Sequence, residues 1–106
     1  MLDKTKLVTV GRDKAATGAS VNPRIARAST ILFDSVADMQ RAFAGKDHGV
    51  EFYGRRGTQT TFALTQAMRQ LENAAGSYIY PCGTAAITAA LQSFLAAGDH
   101  VLVVDS

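Results

Sequence analysis

The chain has 106 residues and a net charge of +2, and its content of 47% hydrophobic and 19% charged residues is typical of a globular protein rather than a disordered one. Its length allows at most one domain, and it holds no apolar stretch long enough to cross a bilayer. Because no cationic segment followed by an apolar run marks an export signal, we expect a cytoplasmic protein.

The cysteine, histidine and charge content speaks against a disulfide-bonded, a metal-binding or a nucleic-acid-binding protein. Cys82 is the single cysteine, which excludes an internal disulfide, and His48 and His100 have no companions at metal-ligand spacing. Residues 1–56 hold ten of the eleven basic and six of the nine acidic residues, for a charge of +4, whereas residues 57–106 carry −2. We expect the first half to face an anion, but the asymmetry is too small to indicate nucleic-acid binding.

The first part of the chain contains two predicted helices. Residues 3–10 are predicted as a short amphipathic helix, and residues 12–23, rich in small and charged residues, as irregular. Ser35 is a candidate N-cap with Asp38 three residues later, and the pattern predicts a helix with one apolar face up to Gly45. We interpret this second helix as a packing element.

A loop punctuated by glycines follows, with the sequence Phe52-Tyr53-Gly54-Arg55-Arg56-Gly57-Thr58. Its ordinary interpretation is a solvated, charged loop. The planar fork of Arg55 and the hydroxyl of Tyr53 also match phosphate oxygens, which makes the loop a candidate phosphate contact. Stacking on single-stranded RNA bases is a third interpretation, disfavoured because the chain has no other basic patch.

The second half of the chain predicts a βαβ unit. An amphipathic helix over residues 61–74 is followed by Gly76, a short strand at 77–80, a helix at 84–96 and a second strand at 100–104. The continuous apolar run of the second strand is typical of a parallel strand buried on both faces, and a right-handed crossover is expected. Because two such strands cannot cover each other, we expect the chain to be the amino-terminal section of a larger α/β protein.

The turn between the first strand and its helix has the sequence Tyr80-Pro81-Cys82-Gly83-Thr84-Ala85-Ala86. Gly83 lets the backbone approach a ligand closely, and Thr84 places a hydroxyl near the free N–H groups of the first helical turn. These donors and the positive end of the helix dipole favour an anion, so the turn is a candidate phosphate site. The structural alternative is a turn that only ends a strand and caps a helix.

Taken in order, these motifs resemble the start of the cysteine/methionine-metabolism family of pyridoxal-phosphate (PLP) enzymes, and the match covers nearly the whole chain. The motifs are Gly18-Ala19-Ser20-Val21-Asn22-Pro23, Arg27-Ala28-Ser29-Thr30, Phe52 to Thr58, Leu71-Glu72, Pro81 to Ala86 and Gly98-Asp99-His100-Val101. The Tyr-Gly-Arg-Arg-Gly-Thr form is most similar to the bacterial members that cleave cystathionine by β-elimination. Other members more often carry Tyr-x-Arg-x-Gly-Asn-Pro-Thr.

The resemblance implies a fold and a division of the chain. The fold is an α/β fold of type I with a large, seven-stranded, mostly parallel sheet, of which this chain would hold an extended N-terminal segment and the first βαβ unit. Residues 1–60 would form an N-terminal arm and interface segment with the phosphate-contacting loop. Residues 61–106 would begin the large PLP-binding domain, which they leave incomplete.

The resemblance also implies PLP as the cofactor and assigns its contacts. Backbone N–H groups of Gly83 and Thr84 would bind the phosphate of the cofactor. Tyr53 and Arg55 would reach the phosphate of the neighbouring subunit in a homotetramer built from dimers. Cys82 stands where relatives often have serine, and because a thiol is the weaker donor, only the backbone contacts of this turn are carried over.

The implied reaction is β-elimination of L-cystathionine, a small amino-acid substrate, to homocysteine, pyruvate and ammonia, with no nucleic-acid or membrane partner. Alternatives are another trans-sulfuration enzyme (cystathionine γ-synthase, γ-lyase or a sulfhydrylase) and a non-enzymatic phosphate-binding α/β fragment. The chain's lysines, Lys4, Lys6, Lys14 and Lys46, all precede the phosphate motif, and none has the sequence context of the family's cofactor-bearing lysine. We therefore predict no catalytic residue within this chain and no activity of the chain alone.

Overall fold

The computed structural model describes residues 3–45 and 49–105, so that Lys46 and His48 lie outside the described residues. The helices formed in these ranges are α1 (Asp3–Thr9), α2 (Lys14–Thr17), α3 (Val36–Ala44), α4 (Gln59–Leu71) and α5 (Gly83–Gln92). A 3-10 turn spans Gly54–Arg56. Within the described residues, no helix combines the length and the apolar character that a membrane span requires.

Four of these helices, α1, α3, α4 and α5, confirm the helices predicted from the sequence, with shifted ends. Helix α2 is a correction, because it lies in the segment of residues 12–23 that was predicted to be irregular. It is a single turn, closed by the N–H of Thr17, which donates to the carbonyl of Asp13 at 2.8 Å. Thr17 is buried, so this short turn is held in place by its surroundings.

Helix α3 begins at the predicted cap. The N–H of Asp38 donates to the hydroxyl of Ser35 at 3.1 Å, which satisfies one of the free donors of the first turn. The Ser35 hydroxyl in turn donates to the Asp38 carboxylate, and Arg41 forms an ion pair with the same carboxylate. The bond from Ser35 and, second, the bond from Arg41 lower the pKa of Asp38 below 3.8.

Replacing Ser35 by alanine should destabilise α3 by about 1 kcal/mol, the typical value of a lost N-cap. We expect faster hydrogen exchange of the α3 amides in the full-length protein, whereas Ser35→Asn, which keeps a capping side chain, should exchange at nearly the native rate. Unchanged exchange in Ser35→Ala would contradict the cap.

The stability of the α3 start should also depend on pH. Because the pKa of Asp38 is lowered by folding, its contribution to stability is present above the ordinary carboxyl pKa and is lost as the pH falls through the lowered value.

Two threonines at the start of α4 hold the segment of residues 24–30 in place. Thr58 is 6% exposed, and its hydroxyl donates to the carbonyl of Ala26 at 3.2 Å. The hydroxyl of Thr60 donates to the carbonyl of Arg24 at 3.0 Å and accepts from the N–H of Ala26 at 2.8 Å. These hydrogen bonds join segments more than thirty residues apart, and they bring residues 24–30 beside the loop that precedes α4.

The structure forms the helix of the predicted βαβ unit but not its strand ladder, so the sheet detail of that prediction is not confirmed. Residues 77–80 and 101–104 carry no β-ladder, and the one bridge found in the described residues joins Thr30 to Tyr53 in antiparallel orientation. A parallel strand needs a neighbour that pairs with its N–H and C=O groups, and these two segments do not pair with each other. Leu102 is accordingly fully exposed, at 101%.

Little apolar surface is buried in the described part of the chain. Ala42, 8% exposed, is the one buried apolar residue found there, and the radius of gyration of 17.4 Å exceeds the value of about 13 Å typical of a compact 100-residue domain. Large apolar residues in α5, just after it and in the last segment remain exposed, namely Ile87, Leu91, Phe94, Val101, Leu102, Val103 and Val104. The described residues therefore do not enclose a hydrophobic core of their own.

Candidate phosphate-binding site

The opening of α5 presents free backbone donors. Cys82 is its N-cap residue with extended dihedrals (φ −157°, ψ 165°), and no capping hydrogen bond from its side chain is formed. The first intrahelical bond closes from the N–H of Ala86 to the carbonyl of Cys82 at 3.2 Å. The N–H groups of Gly83, Thr84 and Ala85 precede that bond and therefore have no acceptor within the helix.

The same turn is open to a ligand. Gly83 and Thr84 are exposed, and no atom lies within 4 Å of the position that a Cβ on Gly83 would occupy. Helix α5 has ten residues, so the partial positive charge of its dipole adds to the N–H donors at this end. This donor set suits an oxyanion such as a phosphate.

Tyr53 and Arg55 lie together in the loop before α4. The guanidinium carbon of Arg55 stands 5.0 Å from the centre of the Tyr53 ring, within the range of a cation–π contact. Arg55 is exposed and forms no ion pair with any described residue, whereas Tyr53 is half-buried. The loop therefore presents a permanent cation and a phenol side by side, as the sequence predicted.

The residue between them must be glycine. A Cβ atom at Gly54 would lie 1.8 Å from the carbonyl oxygen of Ala28, and the N–H of Gly54 donates to the carbonyl of Ser29 at 2.7 Å. The backbone of the loop thus rests directly on residues 28–30. Tyr53 and Arg55 flank this contact, so their relative position depends on it.

Replacing Gly54 by alanine should force the loop away from Ala28. We expect a loss of about 1 to 3 kcal/mol in local stability, the usual range for overpacking against atoms that cannot move freely. Hydrogen exchange of the amides of residues 53–57 in the full-length protein measures this loss. Gly76→Ala is the matched control, because nothing lies within 4 Å of a Cβ there; equal exchange in both variants would contradict the close contact.

Two neighbours act on the phenol of Tyr53. The hydroxyl of Ser29 donates to the phenol oxygen across 3.4 Å, and this bond is the larger cause that lowers the pKa of Tyr53 below 10.0. The positive charge of Arg55 is the second cause. Both neighbours stabilise negative charge on the phenol oxygen, which is the direction that also favours donation of its proton to an acceptor.

The structure brings the four predicted site residues into two pairs. Tyr53 and Arg55 form one pair, and Gly83 and Thr84 form the other; no hydrogen bond or ring contact joins the two pairs within the described residues. Both donor sets suit the phosphate group of PLP, since one supplies fixed N–H donors and the other a cation and a hydroxyl. Sequence reasoning missed Ser29 as a contact of Tyr53, although the motif Arg27-Ala28-Ser29-Thr30 contains it.

Comparison with known proteins places the chain in a family. The sequence pattern of the family described as Cys/Met metabolism PLP-dependent enzyme matches residues 4–106, and the chain belongs to this family of PLP-dependent enzymes. Family membership implies a fold of type I for the protein, which confirms the resemblance and the coarse fold class predicted from the sequence.

Within this family, the chain is similar to curated relatives named cystathionine beta-lyase. The chain is 50% identical over 93% of its length to the cystathionine beta-lyase of Haemophilus influenzae and 46% identical over its whole length to cystathionine beta-lyase MetC of Escherichia coli. It is 45% identical over its whole length to the cystathionine beta-lyase of Salmonella typhimurium. These alignments cover 25%, 28% and 28% of the three relatives, so the chain spans about a quarter of their length.

Proposed function

We propose that this chain is part of a PLP-dependent carbon–sulfur lyase that cleaves L-cystathionine by β-elimination to homocysteine, pyruvate and ammonia. The observation that carries the proposal is the identity of 45–50%, over at least 93% of the chain, to relatives named cystathionine beta-lyase. The Tyr-Gly-Arg-Arg-Gly-Thr loop supports the same member of the family.

In this proposal the chain's own residues bind and orient the cofactor through its phosphate. The N–H groups of Gly83 and Thr84 donate to phosphate oxygens at the opening of α5, where the helix dipole adds a favourable term. Arg55 supplies the permanent cation that the opening lacks, and the phenol of Tyr53 donates a further hydrogen bond. When bound, PLP supplies an electron sink that stabilises negative charge at the substrate carbon next to the amino group.

The proposal extends to the organisation of the whole protein. Residues 1–60 form an N-terminal arm and interface segment, and residues 61–106 begin the large PLP-binding domain, in which residues 77–80 and 101–104 become strands of the sheet. Their exposed apolar side chains support this step, because strands buried on both faces are apolar throughout. The protein is a cytoplasmic homotetramer, in which Tyr53 and Arg55 reach the phosphate of a neighbouring subunit.

The test uses the full-length protein that contains this chain. Purified with PLP, it should release pyruvate and one new thiol from L-cystathionine, and the amino-acid product should be homocysteine. A γ-cleaving relative would instead give 2-oxobutyrate and cysteine, so the identity of the keto acid separates the two reactions. Absence of both keto acids, with PLP bound at full occupancy, would overturn the proposal.

A further inference from the structure

The backbone segments that carry Ser29 and Tyr53 are joined to each other, and the side chains of these two residues also meet. The N–H of Gly54 donates to the Ser29 carbonyl at 2.7 Å, and Thr30 pairs with Tyr53 in an antiparallel bridge. The side chains then meet, with the Ser29 hydroxyl 3.4 Å from the phenol oxygen. Because these backbone contacts hold the two segments side by side, the fold keeps the hydroxyl groups of Ser29 and Tyr53 close to each other.

The direction of this hydrogen bond decides whether the phenol of Tyr53 can donate its proton to another acceptor. A phenol has one proton to donate and lone pairs with which to accept. Ser29 donates to the phenol oxygen, so the phenol proton remains for another acceptor, and none is found for it in the described residues. A bond accepted at the oxygen also polarises the O–H group and strengthens the bond that it donates.

We propose that Ser29 is a positioning residue, which holds the phenol of Tyr53 so that its proton points to the phosphate of the cofactor. This inference rests on the proposed function, in which Tyr53 contacts that phosphate. Ser29 itself does not touch the cofactor in this arrangement and acts only through Tyr53.

The experiment compares Ser29→Ala, Tyr53→Phe and the double variant in the full-length protein. The first readout is the pKa of Tyr53, followed by fluorine NMR of the fluorotyrosine-labelled, cofactor-free protein, with Tyr53→Phe identifying its signal. The second is the dissociation constant of PLP, obtained by titration of the cofactor-free protein. Ser93→Ala is the matched control, because the Ser93 hydroxyl donates to the Ala89 carbonyl at 2.7 Å, within its own helix.

We expect Ser29→Ala to raise the pKa of Tyr53 and to weaken PLP binding about 2- to 10-fold, as for one lost neutral hydrogen bond. In the Tyr53→Phe background the same change should have no further effect, and Ser93→Ala should leave both readouts at their native values. An unmoved Tyr53 pKa, or equal weakening in both backgrounds, would overturn the role of Ser29. If Tyr53→Phe alone binds PLP normally, the assigned phosphate contact of Tyr53 fails, and the role of Ser29 at the phosphate fails with it.

Discussion

Replacing Gly83 by proline should weaken the binding of PLP to the full-length protein by about 10- to 150-fold, the equivalent of one lost hydrogen bond to a charged group. Gly83 is the first residue of α5, and its N–H has no acceptor within the helix. Proline lacks this N–H, so the substitution removes one of the donors assigned to the phosphate.

Helix α5 itself should tolerate the proline. The first helical position is where proline is accepted best, because the missing N–H is not used by the helix and the fixed φ is already helical. A residue before proline must be extended, and Cys82 already is, with φ −157° and ψ 165°. We therefore expect the far-ultraviolet circular dichroism spectrum and the unfolding midpoint of the cofactor-free protein to stay unchanged.

Gly83→Ala is the matched control for the bulk of the new side chain. It keeps the N–H, and its Cβ would meet no atom within 4 Å. We expect the alanine variant to bind PLP within a few-fold of the native protein, on the scale of a surface substitution. Equal weakening by alanine and proline would show that space at Gly83 matters rather than its N–H, which would contradict the assigned contact.

Contacts between residues that are close in sequence were predictable. Ser35 and Asp38 lie one turn apart, and the cap that they form was read from spacing alone. The ends of helices were harder, because other side chains compete for them. The hydroxyl of Ser93 donates to the Ala89 carbonyl at 2.7 Å, and α5 ends at Gln92 rather than near residue 96. Likewise, α4 was predicted to reach residue 74 but ends at Leu71, and Asn73 takes the left-handed position after it (φ 51°).

The remaining features depend on residues far apart in sequence. The contact between Ser29 and Tyr53 spans 24 residues, and the threonine bonds at the start of α4 span 32 to 36. Periodicity and propensity report only local preference, so they carry no signal for these pairings. The same limit applies to residues 101–104, where an apolar run predicted a strand, but a ladder requires a partner that the run itself cannot supply.

Mixing two binding-defective variants should restore PLP binding at some sites if each site combines the α5 opening of one subunit with the Tyr53–Arg55 loop of its neighbour. In an Arg55→Gln subunit the opening of α5 is intact, and in a Gly83→Pro subunit the Tyr53–Arg55 loop is intact. When the two kinds form a two-fold symmetric pair, one of the two sites receives the intact opening together with the intact loop. The other site receives both defects.

After random assembly, about a quarter of all sites should regain native affinity, because half of the pairs are mixed and one site in each is native. The two variants are co-expressed with different tags, and the number of tight PLP sites per subunit is measured by titration of the cofactor-free mixture. Each variant alone should show no such tight class. If the loop instead contacts the opening of its own subunit, every site carries one defect, and no tight class appears in the mixture.

A second mixture, Arg55→Gln with Tyr53→Phe, is the control. It tests whether binding is restored because the neighbouring subunit supplies an intact loop or because mixing alone improves binding. Both changes lie on the same loop, so every site of a mixed pair receives one defective loop, whichever subunit supplies it. Native affinity should therefore appear in the first mixture and remain absent in the second. Restoration in both would mean that mixing alone improves binding, and the assignment of Arg55 to the neighbouring subunit's phosphate would lose its support.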